Sequence, residues 1–217
     1  NVSRELLQQN PELATMRNAL TRRVLDMLKK LASRNDDYQK FWNEFGQVLK
    51  EGLVEDHANK DKLTKLLRFS TTHTDSDTQD QSQDKIYYIL AENYATAIAS
   101  PHLEQLKSRG LEVLLLTDRI DAWLAESLGE YDGKTLVDVA REALDLPDDG
   151  EEKDQGKLDE EHKTLLEKIQ GVLSERVEAV KVSRRLVDSP ACVVAGSQDL
   201  NPQVRRMLEA SGQKLPE

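Results

Sequence analysis

Only one cysteine, Cys192, occurs in the chain, so no intramolecular disulfide can form and a reducing, cytoplasmic setting is the natural reading. Long hydrophobic runs are missing too. The most apolar stretch, Leu111 to Trp123, falls well short of the roughly 20 residues that cross a bilayer, and no signal-peptide pattern opens the sequence. Aromatic residues make up 5% and hydrophobic residues 38% of the 217, which is sufficient for modest cores and implies no single large one. Positive charge is in deficit. With 30 Lys and Arg against 40 Asp and Glu the net charge is −10, which argues against a nucleic-acid face.

Chemical motifs are equally sparse. There is no Walker loop, no Gly-x-Gly-x-x-Gly and no Ser/His/Asp order in a supporting context. His57, His73, His102 and His162 share no ligand spacing with one another or with the cysteine, so no metal site is expected. Cys192 lies in the apolar run Pro190 to Ala195 and reads as a buried structural thiol without a chemical role.

The organised part of the chain centres on Leu111 to Trp123. Val113 to Leu116 is short, continuous, and bounded by Gly110 and Asp118, the pattern of a strand covered on both faces. Lys85 to Leu90, rich in β-branched and aromatic residues, is its expected partner. Asn93 to Arg109 between them suits a helical crossover broken at Ser100-Pro101, which gives a right-handed β-α-β unit.

On either side the pattern is mostly helical. Asn10-Pro11-Glu12 starts a helix whose apolar face is Leu13, Met16, Leu20, Val24, Met27, Leu28 and Leu31. Asp36-Asp37 is expected to cap a second helix, with Phe41, Trp42, Phe45, Val48 and Leu49 as a core side, that Gly52 stops. A third helix is expected over His57 to Leu67, and Arg68 to Thr71 is strand-like. Thr74 to Asp84 is almost all Asp, Gln, Ser and Thr, a loop or a splice. Thr117-Asp118 caps a helix bearing Ile120, Trp123, Leu124 and Leu128, and Asp132-Gly133 turns into Thr135 to Val137. The acidic stretch Asp145 to Glu161 reads as a linker, followed by a helix to Leu173. Val177 to Val187 and Ala191 to Ala195 read as an antiparallel strand pair turning at Asp188-Ser189-Pro190, before a last helix from Asn201.

Asp118 and Asp121, at the C-terminal end of a parallel strand, stand where acidic magnesium sites are found. Capping and the positive first turn explain them more economically, so a small magnesium-dependent phosphohydrolase stays an alternative, as does a non-enzymatic α/β scaffold.

Several segments together resemble one family. Asn1-Val2-Ser3-Arg4-Glu5-Leu6-Leu7-Gln8, Leu66-Leu67-Arg68-Phe69, Lys85-Ile86-Tyr87-Tyr88-Ile89, Ser100-Pro101-His102-Leu103 and Glu112 to Asp118 look like the ninety-kilodalton heat-shock chaperones, in particular the bacterial branch. The resemblance implies an α/β fold, α+β overall. A helical bundle with an ATP-contacting loop would span 1–84, a small αβα part 85–145, the acidic linker 146–161, and a mixed α+β C-terminal domain 162–217. It also implies about a dozen residues missing before Lys85, by comparison with the amphipathic segment that the family carries there. Dimerisation helices would follow Glu217, and ATP and magnesium would be bound by an N-terminal domain outside the chain. The implied function is an ATP-dependent chaperone for non-native client proteins, a homodimer in full length. Arg4 would reach the terminal phosphate of ATP, supported by Gln8. Trp123, and Leu200, Val204, Met207 and Leu208 on the last helix, would face clients. No cofactor is expected in these residues themselves, and no nucleic-acid or membrane partner.

Overall fold

A computed structural model describes residues 11–73, 83–141, 162–173, 176–183 and 186–196. Most of the expected splice, the acidic linker and the last helix lie outside the described residues. Helix α1 spans Pro11–Ala32, with Pro11 at its first position, and α2 spans Asn35–Glu55. Asp36 and Asp37 lie in the first turn of α2 but do not cap it. The N-cap is Arg34, without a side-chain cap bond, and Asp37 pairs with Arg34 at 3.1 Å. Nor does Gly52 end the helix, which runs to Glu55 because an isolated glycine weakens a helix without breaking it. The third helix is shorter than expected. A 3₁₀ turn at His57–Asn59, capped by the Asp56 carboxylate, leads into α3 at Lys60–Thr64.

Strands β1 (Ser70–Thr71), β2 (Lys85–Leu90), β3 (Val113–Leu116), β4 (Glu130–Tyr131) and β5 (Lys134–Asp138) make a mixed sheet of order β1-β3-β2-β5-β4. The β2–β3 adjacency expected from the sequence is present, but β2 is central. Its other neighbour is β5, parallel, with Ile86 opposite Leu136 and Tyr87 opposite Val137. The crossover holds α4 (Tyr94–Ile98), a 3₁₀ turn at Pro101–Leu103 and α5 (Glu104–Ser108), with Ser100 capping the break. Helix α6 spans Asp121–Leu128. Between β4 and β5, Asp132 and Gly133 both take positive φ, 51° and 75°, the left-handed pair that a two-residue hairpin turn requires. Helix α7 covers Lys163–Leu173.

The described residues fall into two compact units, one from the ranges 1–70 and 116–133, the other from 71–115 and 134–217. In the first, Leu25, Leu28, Leu53, Leu63, Leu66 and Leu124 bury around Tyr38, whose hydroxyl donates to the Leu66 carbonyl. In the second, Tyr87 and Ile89 of β2 pack with Leu103, Leu106, Val113 and Val139.

Three expected burials are corrected. Leu13, Met16, Leu20, Val24 and Met27 of α1 are exposed, whereas Leu28 and Leu31 of the expected face do meet the core, joined by Leu25, because only the C-terminal part of the helix packs against its unit. Phe45 and Val48 are exposed, whereas Phe41, Trp42 and Leu49 of the expected side pack against the core beside the buried Tyr38, Gly46, Lys50 and Leu53. Cys192 is half-buried. The expected strand pair over 177–195 is also absent among the described residues. Ala195 makes an isolated bridge with Arg141, and the turn residues bond elsewhere.

Candidate functional site

Helix α6 is short, with one wall buried: Ala122, Leu124 and Ala125 face inward at 5%, 1% and 3% exposure. Trp123 stands on the other side, 43% exposed. An eight-residue helix is too short to be stable alone. Its ends show what holds it.

At the N-terminal end the Lys50 ammonium of α2 lies 2.6 Å from Asp118 Oδ2 and 2.8 Å from Asp121 Oδ1. Asp121 is wholly buried and Lys50 is 5% exposed, whereas the Asp118 side chain is 44% exposed. The other Asp121 oxygen, Oδ2, accepts the Asp118 amide at 3.0 Å, a link that closes the turn entering the helix. Sequence reasoning reversed these roles. The helix has no side-chain cap on Ile120, and the Asp118 carboxylate goes to Lys50. Burial pushes the Asp121 carboxyl above its ordinary range, and the adjacent Lys50 ammonium is the main force opposing that rise. The same ammonium lies 4.8 Å from the Phe69 ring centre and 6.0 Å from that of Trp42, so aromatic faces supply the rest of its environment.

At the C-terminal end the Lys60 ammonium donates to the Ser127 carbonyl, placing positive charge where the helix dipole is negative. Trp123 therefore projects from an element fixed at both ends by lysines of α2 and α3. Gly46 assists from a distance. A Cβ there would sit 2.8 Å from the Trp42 indole, so only glycine lets that ring lie against the α2 backbone.

Lys50 was not singled out from the sequence. The signal existed, since Trp42, Gly46, Lys50 and Leu53 follow one another at spacings of four, four and three, which puts a lysine on a buried face. Of the expected site residues, the structure places Trp123. Arg4, Gln8, Leu200, Val204, Met207 and Leu208 lie outside the described residues. Among the described residues no group of acidic, histidine or cysteine side chains is arranged to hold a metal. No described helix is long and apolar enough to cross a membrane.

Comparison with known proteins follows the same line. Residues 1–215 match the family profile described as Hsp90 protein. The chain is 48% identical over 232 aligned positions to a chaperone protein HtpG of Bordetella avium, an alignment that covers all of this chain and 37% of that protein. Among solved structures, the middle domain of a heat shock protein of Plasmodium falciparum matches with a TM-score of 0.55 at 31% identity, covering 60% of this chain and 58% of the other.

Proposed function

Because the chain belongs to the Hsp90 protein family, we propose that it is a working part of an ATP-dependent molecular chaperone, with Trp123 as a contact for non-native clients. The chain spans 37% of the length of the curated relative it matches, so the whole protein's activity is part of this proposal. One observation carries the client reading. A large aromatic side chain is 43% exposed on a helix whose ends are fixed by Lys50 and Lys60. A rigid indole offers wide apolar contact with little rotamer entropy to lose, and apolar burial of about 25 cal/mol per Å² is indifferent to client sequence. Leu200, Val204, Met207 and Leu208 add a second apolar stripe at helical spacing, with an adaptable methionine. The protein is cytoplasmic on this reading, and a homodimer.

The hydrolytic part rests on resemblance. Arg4, with Gln8 supporting it, supplies a permanently charged fork to the terminal phosphate of ATP, while the nucleotide and its magnesium are held by another domain. The rival phosphohydrolase reading loses ground to the geometry. Asp118 and Asp121 already share the Lys50 ammonium, which occupies the position a magnesium ion would need.

Replacing Trp123 with Arg, or with Ala, should weaken binding of an unfolded test protein about tenfold or more and leave the melting temperature close to that of the parent. Unchanged client affinity, or a stability loss of about 2–5 kcal/mol as in a core truncation, rejects the assignment. In the full-length protein, Arg4→Ala should lower ATP turnover by about 10³ with nucleotide affinity intact. Normal turnover would remove Arg4 from the mechanism.

A further inference from the structure

Helix α1 meets its core along only part of its length. Every residue of 11–20 is exposed, and the core contacts lie beyond them, at Leu25, Leu28 and Leu31. The exposed side is not polar. Leu13, Met16, Leu20, Val24 and Met27 recur at spacings of three, four, four and three, which places them within an arc of about 80° and along about 21 Å of helix. Their exposures run from 38% at Leu13 to 60% at Leu20. Two of the chain's three methionines lie in this stripe. Arg17 borders it on one side and Arg23 and Lys30 on the other, all exposed, and none of the three forms an ion pair among the described residues.

Such a helix needs a cover. Its first ten residues gain little from their own hydrogen bonds, since isolated helices below roughly 12–15 residues are marginal in water. A contiguous apolar face is either paired within its own domain or marks an interface. The matched Plasmodium falciparum middle domain is covered over 58% of its length, so the other 42% of it has no counterpart in this chain. A domain of this kind therefore contains further polypeptide, outside the 217 residues, that can lie on α1. Charge gives the chemistry of that polypeptide. In a chain of net charge −10, α1 carries five basic residues against two acidic ones, and the cationic borders of the stripe call for carboxylates opposite them.

We propose that the stripe from Leu13 to Met27 is the docking face for a segment of the same polypeptide outside these residues, an apolar surface edged with carboxylates that meet Arg17, Arg23 and Lys30. Helix α1 is then a shared element. Its C-terminal part closes the core around Tyr38, and its exposed stripe closes a second core. Methionines suit that seam, because an unbranched thioether fills irregular gaps between two surfaces. The inference stands on the exposure of α1 and is independent of the client role of Trp123.

Methionine oxidation in the full-length protein tests it. With peroxide, Met16 and Met27 should form sulfoxide about tenfold or more slower in the native protein than in the same protein unfolded in urea, read peptide by peptide by mass spectrometry. At the 59% exposure that each has without a cover, the two rates would differ by no more than about twofold, and that result overturns the docking. Arg17→Glu with Arg23→Glu should raise the native rate at Met16 about fivefold or more, whereas Arg17→Lys with Arg23→Lys should leave it near the parent. Equal rates in the two pairs would overturn the carboxylate edge. Hydrogen exchange at Val113–Leu116 reports whether the rest of the fold is intact in each variant. Protection that appears only when an unfolded client is added would make the stripe a client surface, and protection that falls on dilution would make it an interface between copies; either outcome overturns the proposed occupant.

Discussion

At the scale of single residues, the arrangement turns on a lysine buried against two carboxylates of unequal exposure. Removing Lys50 leaves Asp121 charged and unpaired in a wholly buried place, whereas Asp118 can return to water. Lys50→Met should therefore cost about 3–5 kcal/mol, and adding Asp121→Asn should recover much of the loss, because the amide oxygen can still accept the Asp118 amide. Urea unfolding of the two variants checks both values. The pH dependence follows from sign. Burial already raises the Asp121 carboxyl above its ordinary 3.8, and Lys50 is the largest force opposing that rise. A raised carboxyl stabilises the fold only while protonated, so its contribution is lost as pH rises. Without Lys50 the rise grows, and the deficit of Lys50→Met should be larger at about pH 8 than at about pH 5. A pH-independent deficit would mean that Asp121 is not the group left unpaired.

At the scale of elements, periodicity marks which residues share a face but not which face meets the core. The expected face of α1 runs from Leu13 to Leu31, and only its C-terminal end, with Leu28 and Leu31 beside Leu25, meets the core. In these 217 residues alone, Met16→Lys with Leu20→Lys should change stability by no more than about 0.5 kcal/mol each, and Leu28→Ala should cost about 2–5 kcal/mol, as calorimetry or denaturant midpoints would show. The Glu104 carboxylate, which accepts the amides of Val187, Asp188 and Ser189, behaves differently. The depression of Glu104 to about 2 is caused first by the Ser189 hydroxyl and then by backbone amides, with no charged group among the causes. A depressed carboxylate stabilises above its unfolded value of 4.5 and loses that contribution as pH falls toward 2. Protection of the 187–189 amides, corrected for intrinsic exchange, should thus hold from neutrality to about pH 5 and decline below it. Loss of protection near pH 6 would implicate another titrating group.

At the scale of the whole molecule, the chain belongs to the Hsp90 protein family and spans 37% of the length of the relative it matches, and on the proposed reading the work is divided between regions. If nucleotide is held elsewhere, this chain alone should suppress aggregation of a thermally unfolded protein equally with and without magnesium ATP; stimulation by ATP would place a nucleotide site within it. The sequence by itself determined the family, the mixed α/β class and most of the elements: α1, the strands at Lys85–Leu90 and Val113–Leu116, the crossover broken at Pro101 and the turn at Asp132-Gly133. Those follow from neighbours in the chain, since caps, turn residues and hydrophobic period act over a few positions. Only the tertiary structure decided that β5 lies parallel beside β2, that Lys50 pairs with a carboxylate 68 residues away, and that the expected hairpin turn instead binds Glu104. The reason is physical. A lysine on an apolar face and a serine in a turn each have many solvated alternatives, and which partner they take depends on elements brought together by burial of other residues.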